Sequence, residues 1–224
     1  MDVERKTGRT VGALLLIQIT GLIVPFVLLH PIAAGPSSFL ANAAGASASI
    51  TGAAFLLFAN CALTIGISIL MWPMLSRESP AAALWLVALS LIMFCMQAVD
   101  NAHILSIVSL SREYAAGGSA EIYGPLAASL GATRVWVHYT ELLAIDLWIG
   151  FFYFTLLRLR AVPTVLAVFG LLTVLLHLCG IPLPKFLGLP VNMMLGPPMA
   201  LAHVATAIWL IARGFGKRND DSLA

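Results

Sequence analysis

Five histidines and a few carboxylates are the side chains of this chain best suited to chemistry, and their spacing pairs some of them. Asp100 and His103 stand three apart, as do His138 and Glu141, and residues three apart share a helix face. His30, His177 and His203 complete the imidazole set. An imidazole that donates one N–H to a carboxylate keeps its other nitrogen for a metal, which would make Asp100 or Glu141 useful beside His103 or His138. Three imidazoles with a water in the fourth position suit a catalytic zinc ion. Two facing imidazoles suit haem iron instead. Neither HExxH nor HxxxH occurs, so the expectation of a metal rests on where the chain carries these residues and not on a motif.

That placement follows from the solvent. Of 224 residues, 60% are hydrophobic and 10% charged, against about a quarter charged in a water-soluble chain, and the mean hydropathy is +0.97. Lipid is the solvent this composition requires. A helix needs about 20 apolar residues to cross the hydrocarbon, so the length predicts an all-α, six-helix transmembrane bundle, one domain over 1–224. The spans are expected at about Val11 to Pro31, Thr51 to Leu75, Ala81 to Leu110, Thr133 to Leu157, Val162 to Ile181 and Pro198 to Arg213. The first apolar run exceeds a signal-peptide core of about 7 to 15 residues and reads as a retained helix. Between the first two spans, the Gly/Ala/Ser-rich stretch from Gly35 to Ser49 suits an outer loop with a short interfacial helix. A loop holding Arg112, Glu113, Gly117, Gly118 and Pro125 is expected before the fourth span, and IPLPKFLGLP forms the last outer loop.

Alternate connections carry unequal charge. Arg5, Lys6, Arg9, Arg77, Arg158, Arg160, Arg213, Lys217 and Arg218 fall on one side, and only Arg112, Arg134 and Lys185 on the other. The positive-inside rule then puts both termini in the cytoplasm. The net charge of +2 argues against nucleic acid as a partner, because these basic residues sit where they meet lipid headgroups. With this orientation all five histidines, Asp100 and Glu141 fall toward the outer half of the bundle. An Asp at the centre of a span costs about 2.5–3.5 kcal/mol on the insertion scale, so Asp100, Glu141 and Asp146 need partners.

Other polar and aromatic residues read as structure. Cys61, Cys95 and Cys179 form no CxxC pair and read as small buried apolar residues. Trp148 and the run Phe151 to Phe154 suit an aromatic belt or lipid-facing packing. Asn60 and Thr64, one turn apart, suit a hydrogen-bonded seam between helices. No Walker loop or GxGxxG is present, which removes nucleotide chemistry.

The segments RKTGRTVGALLLIQITG, WIGFFYFTLLRLRAVPTVLAVFGLL, GIPLPKFLGLP and MALAHVATAIWLIARGF carry a resemblance, over most of the length, to a bacterial multi-span membrane family catalogued as a domain of unknown function. The resemblance implies a six-helix architecture in the bacterial inner membrane and brings no catalytic motif with it.

Three functions fit these residues. One is a site in the outer half of the bundle that binds a metal ion such as zinc, haem or a small ligand, with His103, His177 and His203 as leading ligands, His138 as a further one and Asp100 as their partner or fourth ligand. Another is an intramembrane enzyme acting on a lipid or isoprenoid, either a metal-dependent hydrolase or a cyclase initiated by an acid, with Asp100 and Glu141 as the catalytic groups. The last is a proton-coupled small-molecule transporter in which those two carboxylates change protonation. Membrane lipids are the expected partners in each.

Overall fold

The structure is a computed structural model that describes residues 3–33 and 35–216. Among the described residues all regular structure is helical: α1 (Val3–Leu28), α2 (His30–Ala33), α3 (Pro36–Asn42), α4 (Ser47–Glu78), α5 (Pro80–Ala115), α6 (Ala120–Arg158), α7 (Thr164–Gly180), α8 (Pro182–Phe186), a 3-10 turn at Met193–Leu195, and α9 (Pro197–Arg213). Six stretches are long and apolar enough to cross a membrane, namely Val3–Leu28, Ser47–Glu78, Pro80–Ala115, Ala120–Arg158, Thr164–Phe186 and Met193–Arg213. These are the six expected spans, and the protein is a multi-pass membrane protein. Its outward side chains agree: Phe26 is 78% exposed, Phe55 74% and Val165 82%, a surface that lipid solvates and water does not. Lys217 and Arg218, two of the charges counted for orientation, lie outside the described residues.

The helices outrun the expected spans. α4, α5 and α6 have 32, 36 and 39 residues, well beyond the ~20 that hydrocarbon requires. Arg112 and Glu113 therefore belong to α5 and Pro125 to α6, where a loop was expected. A helix satisfies its own backbone in water as in lipid, so it need not stop at the headgroups. The reversal is confined to residues 116–119, where Gly117 takes φ +114, a conformation glycine adopts without steric cost. Pro25 lies inside α1, three residues before its end at Leu28, and His30 opens α2 instead of closing the first span.

The chain forms two compact units: the described parts of Met1–Ile19, Leu63–Met93 and Leu142–Ala224, and the segments Thr20–Ala62 and Phe94–Glu141. In the first unit a polar seam runs between helices. Gln18 Nε2 donates to Thr64 Oγ1 at 2.6 Å, Ser68 Oγ donates to the Thr64 carbonyl at 3.0 Å, and Trp148 Nε1 donates to Ser68 Oγ at 3.0 Å. Thr64 thus belongs to the interhelical seam the sequence suggested. Trp148 departs from the aromatic-belt expectation. It is buried with Phe152 and Tyr153 and stacks on Phe152 at 5.3 Å, leaving Phe154 among the outward aromatics. The indole N–H has a buried acceptor in Ser68, so the ring can enter the core without leaving a donor unmet. Cys95 and Cys179 are exposed and only Cys61 is buried, a correction to the reading of all three as core residues; a thiol is apolar enough for lipid.

Small residues bring the helices of this unit close, as expected where lipid supplies no hydrophobic drive between helices. A Cβ on Gly12 would stand 2.8 Å from the Ala207 carbonyl oxygen, and one on Gly8 would collide with the backbone of Gly214 and Phe215. Alongside, Arg5 Nε donates to the Arg213 carbonyl at 3.2 Å and Arg9 Nη2 to the Ala212 carbonyl at 3.3 Å, which supplies donors to the open carbonyls ending α9. In the second unit, α2 and α3 pack Ile32, Phe39 and Leu40 against Ile50 and Ala54 of α4, Ile104, Ile107 and Val108 of α5, and Ala127 of α6.

Gly170 lies under the Tyr153 ring so closely that any Cβ there overlaps it, whereas Gly66 faces open space. Gly170→Ala should lower stability by about 1–3 kcal/mol through overpacking. Gly66→Ala should be neutral or slightly stabilising, because the helix gains up to about 1 kcal/mol of propensity. Thermal unfolding of the two variants in the same detergent distinguishes these outcomes.

Candidate metal centre

α5 carries Asp100 and α6 carries Arg134, His138 and Glu141, all within the second unit. On α6 the three residues stand at i, i+4 and i+7, one stripe of the helix. Asp100 is held against that stripe by its neighbours on α5. Gln97 Nε2 donates to Asn101 Oδ1 at 3.1 Å, and Asn101 Nδ2 donates to the Ala54 carbonyl of α4 at 2.9 Å. Cys61 Sγ lies 3.7 Å from Gln97 Oε1. This amide chain fixes the rotation of α5 against α4 and leaves Asp100 to face α6.

The carboxylate of Asp100 divides its oxygens. Oδ1 is 3.5 Å from Arg134 Nε, and Oδ2 is 3.9 Å from His138 Nδ1. His138 Nδ1 is also 3.6 Å from Glu141 Oε2. One donor atom from each of Asp100, His138 and Glu141 fits within 4.8 Å of the others. The Asp100 and Glu141 side chains are 2% and 3% exposed, Arg134 21% and His138 45%, so the cluster opens on the side of His138. Asp100 Oδ1, Arg134 Nε, His138 Nδ1 and Glu141 Oε1 are buried atoms with no hydrogen bond. Each such atom costs about 1–3 kcal/mol, and four converging in one place mark a cluster that its own members do not satisfy.

A family model described as "Domain of unknown function (DUF4386)" matches residues 10–214. The chain belongs to this family. No curated protein and no solved structure matches it.

The remaining candidate histidines of this DUF4386 chain have other surroundings. His103, half-buried, donates Nδ1–H to the Val99 carbonyl one turn back on α5 at 2.8 Å. The imidazole nearest Asp100 is therefore His138, from the facing helix, and not the one three residues along. His30 is exposed. His177 and His203 belong to the first unit, where each has its own partner. Buried His177 has Nδ1 2.7 Å from Asp146 Oδ1. Buried His203 has Nδ1 3.1 Å from the Met199 carbonyl and 3.4 Å from Tyr153 Oη, which in turn is 3.3 Å from Thr206 Oγ1. The Tyr153 ring meets His203 edge-on.

Two participants escaped the sequence reading. Arg134 entered it only as a charge on the outer side, although its place four residues before His138 put both on one face. The Asp146–His177 pair joins residues on separate spans, and no local spacing announces it.

Removing His177 would strand the Asp146 carboxylate in the core of the first unit. His177→Ala should cost about 3–5 kcal/mol, the range for breaking one side of a buried pair. Adding Asp146→Asn should return part of that loss, because the charge left behind is gone. Unfolding midpoints of the single and double variants in detergent measure the coupling.

Proposed function

We propose that this protein is a divalent-cation-binding membrane protein whose ion, zinc being the best fit, is held by Asp100, His138 and Glu141. The observation that carries this reading is the convergence of one imidazole nitrogen and two carboxylate oxygens within 4.8 Å, at atoms that are buried and in part unbonded. Zinc takes such nitrogen and oxygen donors at about 2.0–2.2 Å, which separates tetrahedral donors by roughly 3.4 Å. The contacts of 3.6 and 3.9 Å from His138 need only a small contraction to meet that spacing. Haem suits the donor set less well, since its iron takes one axial residue on a face and this cluster offers two carboxylates beside a single imidazole.

Three protein donors leave a coordination position open, the arrangement of catalytic more than of structural zinc sites. A cation there would polarise a bound oxygen or lower the pKa of a bound water, which favours a metal-dependent hydrolase of lipid-like substrates over an acid-initiated cyclase. In that setting Asp100 and Glu141 hold the ion, and Arg134 fixes the orientation of Asp100 by taking its second oxygen. The bacterial inner membrane is the site of action this reading assumes, with the cluster on the outer side.

Protein purified in a mild detergent should bind about one zinc per chain, measured by elemental analysis after dialysis and by equilibrium titration. Asp100→Asn, His138→Gln and Glu141→Gln should each weaken zinc binding by more than the roughly 10–100-fold typical of losing a residue outside the coordination sphere. Zinc content no higher in the wild type than in the triple variant, with helicity retained in both, would sink the proposal. A haem absorption band in the wild type that the triple variant keeps would do the same.

A further inference from the structure

Resting on that reading, we infer that the filled cation site takes an oxyanion, a phosphate or carboxylate group held between the open coordination position and the guanidinium of Arg134. The first ground is the unspent fork of Arg134. Its Nε faces Asp100 Oδ1 at 3.5 Å, and its two Nη groups make no hydrogen bond to the described residues. A guanidinium presents parallel N–H donors that match the oxygens of phosphate or carboxylate. An arginine needed only to neutralise Asp100 would turn that fork on the carboxylate, and here it presents its single Nε instead.

The second ground is charge. Without a cation, an entering anion meets two acidic side chains and at most the single positive charge of Arg134. With a dication in place, the cation and Arg134 together exceed Asp100 and Glu141 by one positive charge, with His138 neutral as a ligand. An anionic oxygen at the open position then balances the cluster, in surroundings where charge is poorly screened. Access is the third ground. His138 is the most exposed member at 45% and Arg134 follows at 21%, so the opening lies beside the guanidinium and away from the two sealed carboxylates. Anion binding is thus conditional on the cation, and Arg134 is its specificity-determining residue.

Two sources offer this chemistry, phosphate in the aqueous phase and the phosphate of a lipid headgroup, and one experiment separates them. Protein in a phosphate-free sugar detergent, shown by elemental analysis to carry zinc, is titrated with dilute inorganic phosphate, beside the zinc-free protein and the zinc-loaded Arg134→Lys and Arg134→Gln variants. The zinc-loaded wild type should bind phosphate at about one per chain, and the zinc-free protein should bind none. Arg134→Lys keeps the charge and loses the fork, so its phosphate affinity should fall about tenfold or more, the worth of a hydrogen bond to a charged group. Arg134→Gln should lose more. Competition by short-chain phosphatidic acid added to the micelles would identify the headgroup as a source; phosphate binding without such competition would identify the free anion. Zinc-loaded wild type that binds no phosphate, or binds it as Arg134→Lys does, overturns this inference and leaves the cation site standing. Failure to load zinc at all overturns the reading beneath it.

Discussion

Hydrocarbon accepts no unpaired charge cheaply, and that constraint organises the polar half of this protein. Backbone groups disappear into helices, but a carboxylate carried on a span needs a partner from another helix or a reason to be there. α6 bears most of this burden. It carries Arg134, His138, Glu141 and Asp146, and its most apolar window is the most buried of the six, at half, with a mean hydropathy of only 1.5. A helix so polar can sit in a membrane because its neighbours, and not lipid, surround much of it.

Both units bring polar groups together across helices. In the first, Gln18 bonds to Thr64, Trp148 to Ser68 and Tyr153 to Thr206, and Asp146 pairs with His177 at 2.7 Å as an ion-pair contact. Glycines 8 and 12 let α1 approach the C-terminal end of α9 and the residues after it, and Gly170 lies against the Tyr153 ring. In the second unit the apolar residues of α2 and α3 close over α4, α5 and α6, while three ionisable groups of α6 and one of α5 are drawn together without satisfying one another.

The spans were legible in the sequence because a run of about 20 apolar residues has few other uses in a 224-residue chain. The need for partners at Asp100, Glu141 and Asp146 was legible for the same energetic reason, and His138 with Glu141 followed from their spacing along one helix. Partner choice across helices was not. Asp100 meets Arg134 and His138 because of how α5 and α6 are rotated, and that rotation is set by Gln97 and Asn101 reaching α4, contacts whose sequence separations carry no periodic signature. His103 looked equivalent to His138 on paper, yet a carbonyl one turn behind it claims its Nδ1. Trp148 looked like a headgroup anchor until Ser68 supplied a buried acceptor.

Whether the Asp100 cluster is packing glue or a binding site turns on the quality of its contacts compared with those beside it. One residue away from Asp100, Asn101 reaches the Ala54 carbonyl at 2.9 Å and accepts from Gln97 at 3.1 Å, which is what helix-to-helix glue looks like when it is built for that purpose. Asp100 instead stands 3.5 Å from Arg134 and 3.9 Å from His138, and His138 3.6 Å from Glu141, with buried atoms unbonded. α5 thus makes a short bond to α4 through Asn101, while toward α6 its Asp100 keeps those longer separations from Arg134 and His138. These separations leave buried polar atoms of Asp100, Arg134, His138 and Glu141 without a hydrogen bond among the described residues, the condition that the proposed cation would relieve. The amide chain, by fixing α5, keeps the carboxylate from collapsing onto its neighbours.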